Sequence, residues 1–155
     1  VKEVKGDLWT YAPAESVVRC ITTNGFVKKS GEAVMGAGCA KEATQQWPVI
    51  AHDVGLRITN FGNKVQDLGE YFDENDRPVN LAMFPVKHNW WEKADLALIE
   101  QSCKELLALA AMYPHSTVFV IPRPGCGNGK LRWEDVRPVL LKYFDADDRF
   151  HVITW

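Results

Sequence analysis

Two glycine-rich stretches, one lysine and one early aspartate are the residues of this chain best suited to act on a ligand. Val34-Met35-Gly36-Ala37-Gly38-Cys39-Ala40 and Pro122-Arg123-Pro124-Gly125-Cys126-Gly127-Asn128-Gly129-Lys130 each follow a strand-like run and lead toward a helical pattern. Glycines let backbone N–H groups turn toward a ligand without a Cβ in the way, and a helix start adds a favourable field for phosphate. Together the two loops are a candidate diphosphate clamp; singly, each is compatible with a plain turn. Neither is a G-x-G-x-x-G fingerprint or a Walker A loop, because Gly36-x-Gly38 lacks a third glycine at the right place and Gly129-Lys130 precedes Leu131.

Lys87 ends Phe84-Pro85-Val86-Lys87 and precedes His88-Asn89-Trp90-Trp91. A partly buried lysine favours the neutral amine, which can attack a carbonyl or an anomeric carbon. A surface lysine is the plain alternative. Asp7, in Lys5-Gly6-Asp7-Leu8, is either a ligand-holding acid or a cap. Thr22-Thr23-Asn24 forms another strand exit, and Trp90 and Trp91 are either packing residues or a stacking wall. The four histidines have no ligand spacing. Cys20, Cys39, Cys103 and Cys126 lie far apart without a C-x-x-C, so they read as reduced thiols, with no metal and no cofactor expected.

These residues need a scaffold of alternating elements. Strand-like runs rich in β-branched and aromatic residues occur at 17–22, 79–84, 117–121 and 150–154. Helical stripes run over 93–112 and 133–144, with Pro138 weakening the second, and shorter helices are predicted over 40–46 and from Pro48 to Asn60. Residues 64–84 read as a hairpin turning at Asp73-Glu74-Asn75-Asp76. The alternation predicts an α/β sandwich with a mixed sheet, whose ligands bind at the carboxyl ends of strands.

With 155 residues, 46% hydrophobic and 25% charged, the chain is expected to form a single domain spanning 1–155. The net charge of −2 argues against tight nonspecific binding of duplex DNA through a broad basic face. The first residues lack an apolar signal region and no stretch reaches the ~20 apolar residues of a membrane span, so a cytoplasmic protein without a membrane partner is expected. A monomer without an appended module is expected as well.

Taken together, the loops resemble the macrodomain family, which binds ADP-ribose, and within it the branch of the terminal ADP-ribose protein glycohydrolase and the DarG-type antitoxin macrodomain. The resemblance runs from Lys5-Gly6-Asp7-Leu8 through Met35-Gly36-Ala37-Gly38 and Phe84-Pro85-Val86-Lys87 to Pro124-Gly125-Cys126-Gly127 with Leu131-x-Trp133-Glu134. It implies a three-layer α/β/α sandwich with a mostly parallel sheet. It also implies that Asp7 and the Leu8 backbone hold adenine, and that Thr22 with Met35, Gly36, Ala37 and Gly38 lines the ribose and diphosphate. Arg123, Pro124, Gly125, Cys126, Gly127, Asn128 and Gly129 would form the second phosphate loop. Trp155 would stack on adenine or close the core, and Asn24 would position the distal ribose.

Lys87 falls on the lysine this branch uses for glycohydrolysis. The aspartate that assists it in the protein glycohydrolase is replaced by Gly129, as the DarG type also lacks that aspartate. The resemblance therefore implies an ADP-ribosyl glycohydrolase acting on a modified nucleobase in DNA or on protein. The alternatives are a non-catalytic ADP-ribose reader and an ADP-ribose-1″-phosphate phosphatase. The Asn24–Ala33 loop is longer than this branch leads one to expect. It is either a solvated insertion or a cover over the distal ribose, with Lys28 and Lys29 near a nucleic-acid phosphate.

Overall fold

A computed structural model describes residues 1–155. Six strands, β1 (Lys2–Lys5), β2 (Val17–Asn24), β3 (Gln66–Phe72), β4 (Pro78–Lys87), β5 (Val118–Pro122) and β6 (Phe150–Thr154), form one sheet in the order β1-β6-β5-β2-β4-β3. All neighbours are parallel except β3 and β4, which form the antiparallel hairpin the turn residues predicted. Helices α1 (Gly38–Gln46) and α2 (Ile50–Phe61) cover one face, and α3 (Leu96–Ala110) and α4 (Trp133–Phe144) the other.

Strand alternation divides the core between the two faces. Along β4, Ala82, Phe84 and Val86 pack with Ile99, Cys103 and Leu106 of α3, while Leu81 and Met83 pack with Ala40, Ala43, Ile50 and Val54 of α1 and α2. The sandwich is the α/β/α architecture expected. The chain steps from β2 to β4 on one side and returns to β5 on the other. The crevice at the carboxyl ends of β2 and β5 is thus a topological switch point, the usual place for a ligand in such sheets.

Two boundaries and the position of one proline differ from the sequence reading, each for a local reason. Helix α3 starts later than Lys93 because Asp95 caps it, its Oδ1 accepting from the Ala97 N–H at 3.0 Å. Pro138 lies well inside α4 beyond the first turn, on the exposed side, where the hydrogen bond its ring removes is replaceable by water. Strand β4 continues through Pro85 to Lys87 instead of ending at Phe84. Pairing with β3 stops at Gln66–Met83, so Pro85 has only β2 beside it and its missing N–H interrupts no ladder on the other side.

Candidate active-site cleft

The carboxyl ends of β1, β6, β5, β2 and β4 open into one cleft of about 740 Å³. Of the seventeen residues singled out from the sequence, sixteen line it; Pro124 alone is buried beneath the loop. At one end, the half-buried Asp7 accepts from the Trp9 N–H at 2.8 Å through Oδ1, and its other oxygen has no partner. Arg19 braces that loop from below, Nη1 donating to the carbonyls of Leu8 at 2.7 Å and Tyr11 at 2.6 Å. Trp155 sits at the rim, 83% exposed, so it does not close the core.

The middle of the cleft is lined by backbone N–H groups. Those of Gly36, Ala37, Gly38 and Ala40 in the first loop, and of Gly127, Asn128 and Gly129 in the second, have no intramolecular acceptor. Gly38, the first residue of α1, has a φ of +58°, and a Cβ on it would lie 3.2 Å from the Asn128 side-chain nitrogen, so the two loops meet there. Thr22 Oγ1 lies 3.3 Å from Cys39 Sγ on the floor. Burial pushes the Cys39 and Cys126 thiols up, which disfavours the thiolate form. All four cysteines are unpaired, and no three His, Cys, Asp or Glu side chains gather as a metal-ligand set.

Lys87 occupies the far end. It is the last residue of β4, half-buried, and its Nζ donates to the Trp90 carbonyl at 3.4 Å. Three hydrogen bonds fix the strand end that carries it. Ser102 Oγ donates to the Pro85 carbonyl at 2.7 Å, the Asp95 N–H to the Val86 carbonyl at 2.9 Å, and Asn63 Nδ2 to the Lys87 carbonyl at 3.0 Å. A positioned amine with a flexible stem on a rigid backbone can reach an atom held in the cleft, the arrangement that nucleophilic catalysis requires.

Asn24 and the loop it opens form the wall beside Lys87. The Asn24 side chain is held in the chain's own loop, Nδ2 donating to the Val34 carbonyl at 2.9 Å and Oδ1 accepting from the Phe26 N–H at 3.0 Å, and the residue lines the cleft with a second N–H uncommitted. The Asn24–Ala33 loop is folded onto α2. It forms a bridge between Val27 and Ala33 and a turn closed by the Gly31 N–H on the Lys28 carbonyl at 2.9 Å, and the Ala33 N–H reaches the Ala51 carbonyl at 2.8 Å. Of the lining residues outside those seventeen, two bear most on the site. Trp133 carries the Arg123 guanidinium 4.7 Å above its ring, a placement its Leu131-x-Trp133-Glu134 motif hinted at. Thr23 lines the floor with a buried, unpartnered hydroxyl; the strand exit Thr22-Thr23-Asn24 marks the position in the sequence but not the burial of that hydroxyl.

No family model matches the chain. The DNA ADP-ribosyl glycohydrolases of Mycobacterium tuberculosis and Mycobacterium bovis are 29% identical to it over 116 residues, covering 72% of this chain and 32% of theirs. The chain thus spans about a third of the length of the curated relatives it matches. The macrodomain of Mycobacterium tuberculosis DarG superposes with a TM-score of 0.71 and 26% identity, over 98% of this chain and 95% of that one. The chain has the macrodomain fold. The fold is also similar to that of the macrodomain of Thermus aquaticus DarG (TM-score 0.68, 23% identity, covering 99% of this chain and 96% of that one). A third similar structure is Thermosipho africanus DarTG in complex with ADP-ribose, with a TM-score of 0.74 and 19% identity over 98% of this chain and 41% of that one.

Proposed function

We propose that this macrodomain binds ADP-ribose along the cleft and hydrolyses the bond joining it to a modified nucleobase in DNA, with Lys87 as the catalytic residue. What carries the reading is the order in which the sheet delivers its residues. Asp7 follows β1, Trp155 follows β6, the Arg123–Gly129 loop follows β5, Thr22 lies near the end of β2 and leads on to the Gly36–Gly38 loop, and Lys87 ends β4. At ~4.8 Å per strand, these five positions span about 19 Å. That order matches adenine, diphosphate and distal ribose laid out from end to end, with the anomeric carbon beside Lys87.

In this mechanism the lysine amine bonds to the anomeric carbon as the glycosidic bond breaks. The bonding pair leaves with the base, which takes a proton from water, and a second water then releases ADP-ribose and restores the lysine. Holding both partners in place supplies several kcal/mol of the barrier reduction. Lys87→Ala is expected to keep ADP-ribose affinity in calorimetry and to lose turnover on ADP-ribosylated oligonucleotide by about a hundredfold or more. Undiminished release by the variant removes Lys87 from the mechanism. A wild-type protein that binds ADP-ribose but releases none from oligonucleotide or protein is a reader, the reading that Gly129 in place of an acid favours.

A further inference from the structure

Beyond Lys87 the cleft runs into a surface of exposed rings. Trp90 is 52% and Trp91 59% exposed. Trp91 meets Phe26 at 5.5 Å between ring centres and an interplanar angle of 70°, and meets Trp90 at 5.5 Å and 89°. Edge-to-face contacts of this kind hold the rings upright against one another while leaving ring faces uncovered. The support is firm on both sides. The Gly25 N–H donates to the His88 carbonyl at 3.1 Å, tying the Phe26 loop to the tryptophan loop, and the Glu92 N–H closes a turn on the Asn89 carbonyl at 3.2 Å. Lys28 and Lys29 project from the tip of the Phe26 loop, and Lys93 follows the tryptophans; all three are exposed on a chain whose net charge is −2.

We infer that Phe26, Trp90 and Trp91 form a stacking platform for the unpaired bases of a single-stranded nucleic acid, with Lys28 and Lys29 meeting its phosphates. Upright aromatic faces interleaved with cations are the chemistry of sequence-tolerant single-strand binding. Duplex DNA hides its base faces, and the molecule lacks the broad basic surface a duplex needs. Continuity with the cleft sets the geometry: the Trp90 carbonyl accepts from Lys87 Nζ and Trp90 itself lines the cleft, so neighbours of a base at Lys87 pass directly over the rings. The inference deepens the proposed function and rests on it for the modified base, but strand binding is measurable without any modification.

The test follows anisotropy of a labelled single-stranded oligonucleotide of about ten bases. Wild type is expected to bind it better than the matching duplex, Trp91→Ala to bind it roughly tenfold more weakly, and Trp91→Phe to recover most of the loss. Calorimetry with ADP-ribose reads the cleft separately and is expected to be unchanged in both variants. Equal strand affinity of wild type and Trp91→Ala overturns the platform, whereas failed ADP-ribose binding by wild type overturns only the proposed function. On ADP-ribosylated substrates, Trp91→Ala is expected to raise KM for the oligonucleotide and not for the mononucleoside. An equal loss on both, or a loss confined to ADP-ribosylated peptide, also overturns it. Should Trp91→Ala melt early, the pair Lys28→Glu and Lys29→Glu, remote from the core, gives the same reading through weakened strand binding.

Discussion

Gly129 shows how one residue decides between chemistries. A Cβ built there lies 2.5 Å from the Gly125 carbonyl oxygen and 2.7 Å from the Ala94 Cβ, and the Gly129 carbonyl accepts from the Ala94 N–H at 3.0 Å. The space in which an assisting aspartate would start is filled by backbone. Gly129→Asp is therefore expected not to add an acid to the mechanism but to lower stability by about 1 to 3 kcal/mol through overpacking, read as a fall in urea midpoint together with weaker ADP-ribose binding. The replacement itself is plain from the sequence, whereas its cause is not, because Ala94 and Gly125 meet Gly129 only in the folded loop. Thr23 is similar: its hydroxyl is buried without a partner next to a strand irregularity between Thr23 and Asn24, which residue types do not announce.

At the scale of elements, the Asn24–Ala33 loop depends on a glycine in a helix. A Cβ on Gly55 of α2 would fall 1.9 Å from the Gly31 carbonyl oxygen and 3.1 Å from the Ala33 nitrogen. In an isolated helix, Gly→Ala stabilises by up to ~1 kcal/mol. Here the sign reverses: Gly55→Ala is expected to lift the loop from α2, lowering the melting temperature and raising amide exchange at Lys28, Gly31 and Ala33. An unchanged exchange pattern would show that the loop does not lean on this contact. Helix periodicity and turn residues made most elements readable, the β3–β4 hairpin included. What they missed is the extension of β4 through Pro85, since a proline argues for a strand's end unless one knows that the neighbouring strand has already stopped.

At the scale of the molecule, acid sensitivity has an identifiable source. His151 in β6 is buried between β1 and β5, with Nδ1 2.7 Å from the Tyr11 hydroxyl and Nε2 3.0 Å from the Asp148 carbonyl oxygen. Burial holds its imidazole below the usual histidine value, although the Asp148 carbonyl acts in the opposite direction. As pH falls through about 6.5 the unfolded chain takes up the proton first, so stability present above that pH is lost until the folded imidazole also protonates. Urea midpoints measured between pH 7.5 and pH 5.5 are expected to fall for wild type and to fall less for His151→Asn. The sheet order that sets out the cleft was beyond the sequence, because strand adjacency is a long-range property that local patterns do not encode. The loop motifs nevertheless identified sixteen of the 29 residues that line it.

The meeting of Gly38 and Asn128 has a thermodynamic consequence. Gly38 opens α1 on one face of the sheet, and Asn128 belongs to the loop that leads into α4 on the other. A ligand gripped by both loops therefore clasps the two helical layers together, and its affinity becomes cohesion of the whole fold. By mass action, a hundredfold excess over Kd adds about 2.7 kcal/mol to the free energy of unfolding, whichever layer would otherwise open first.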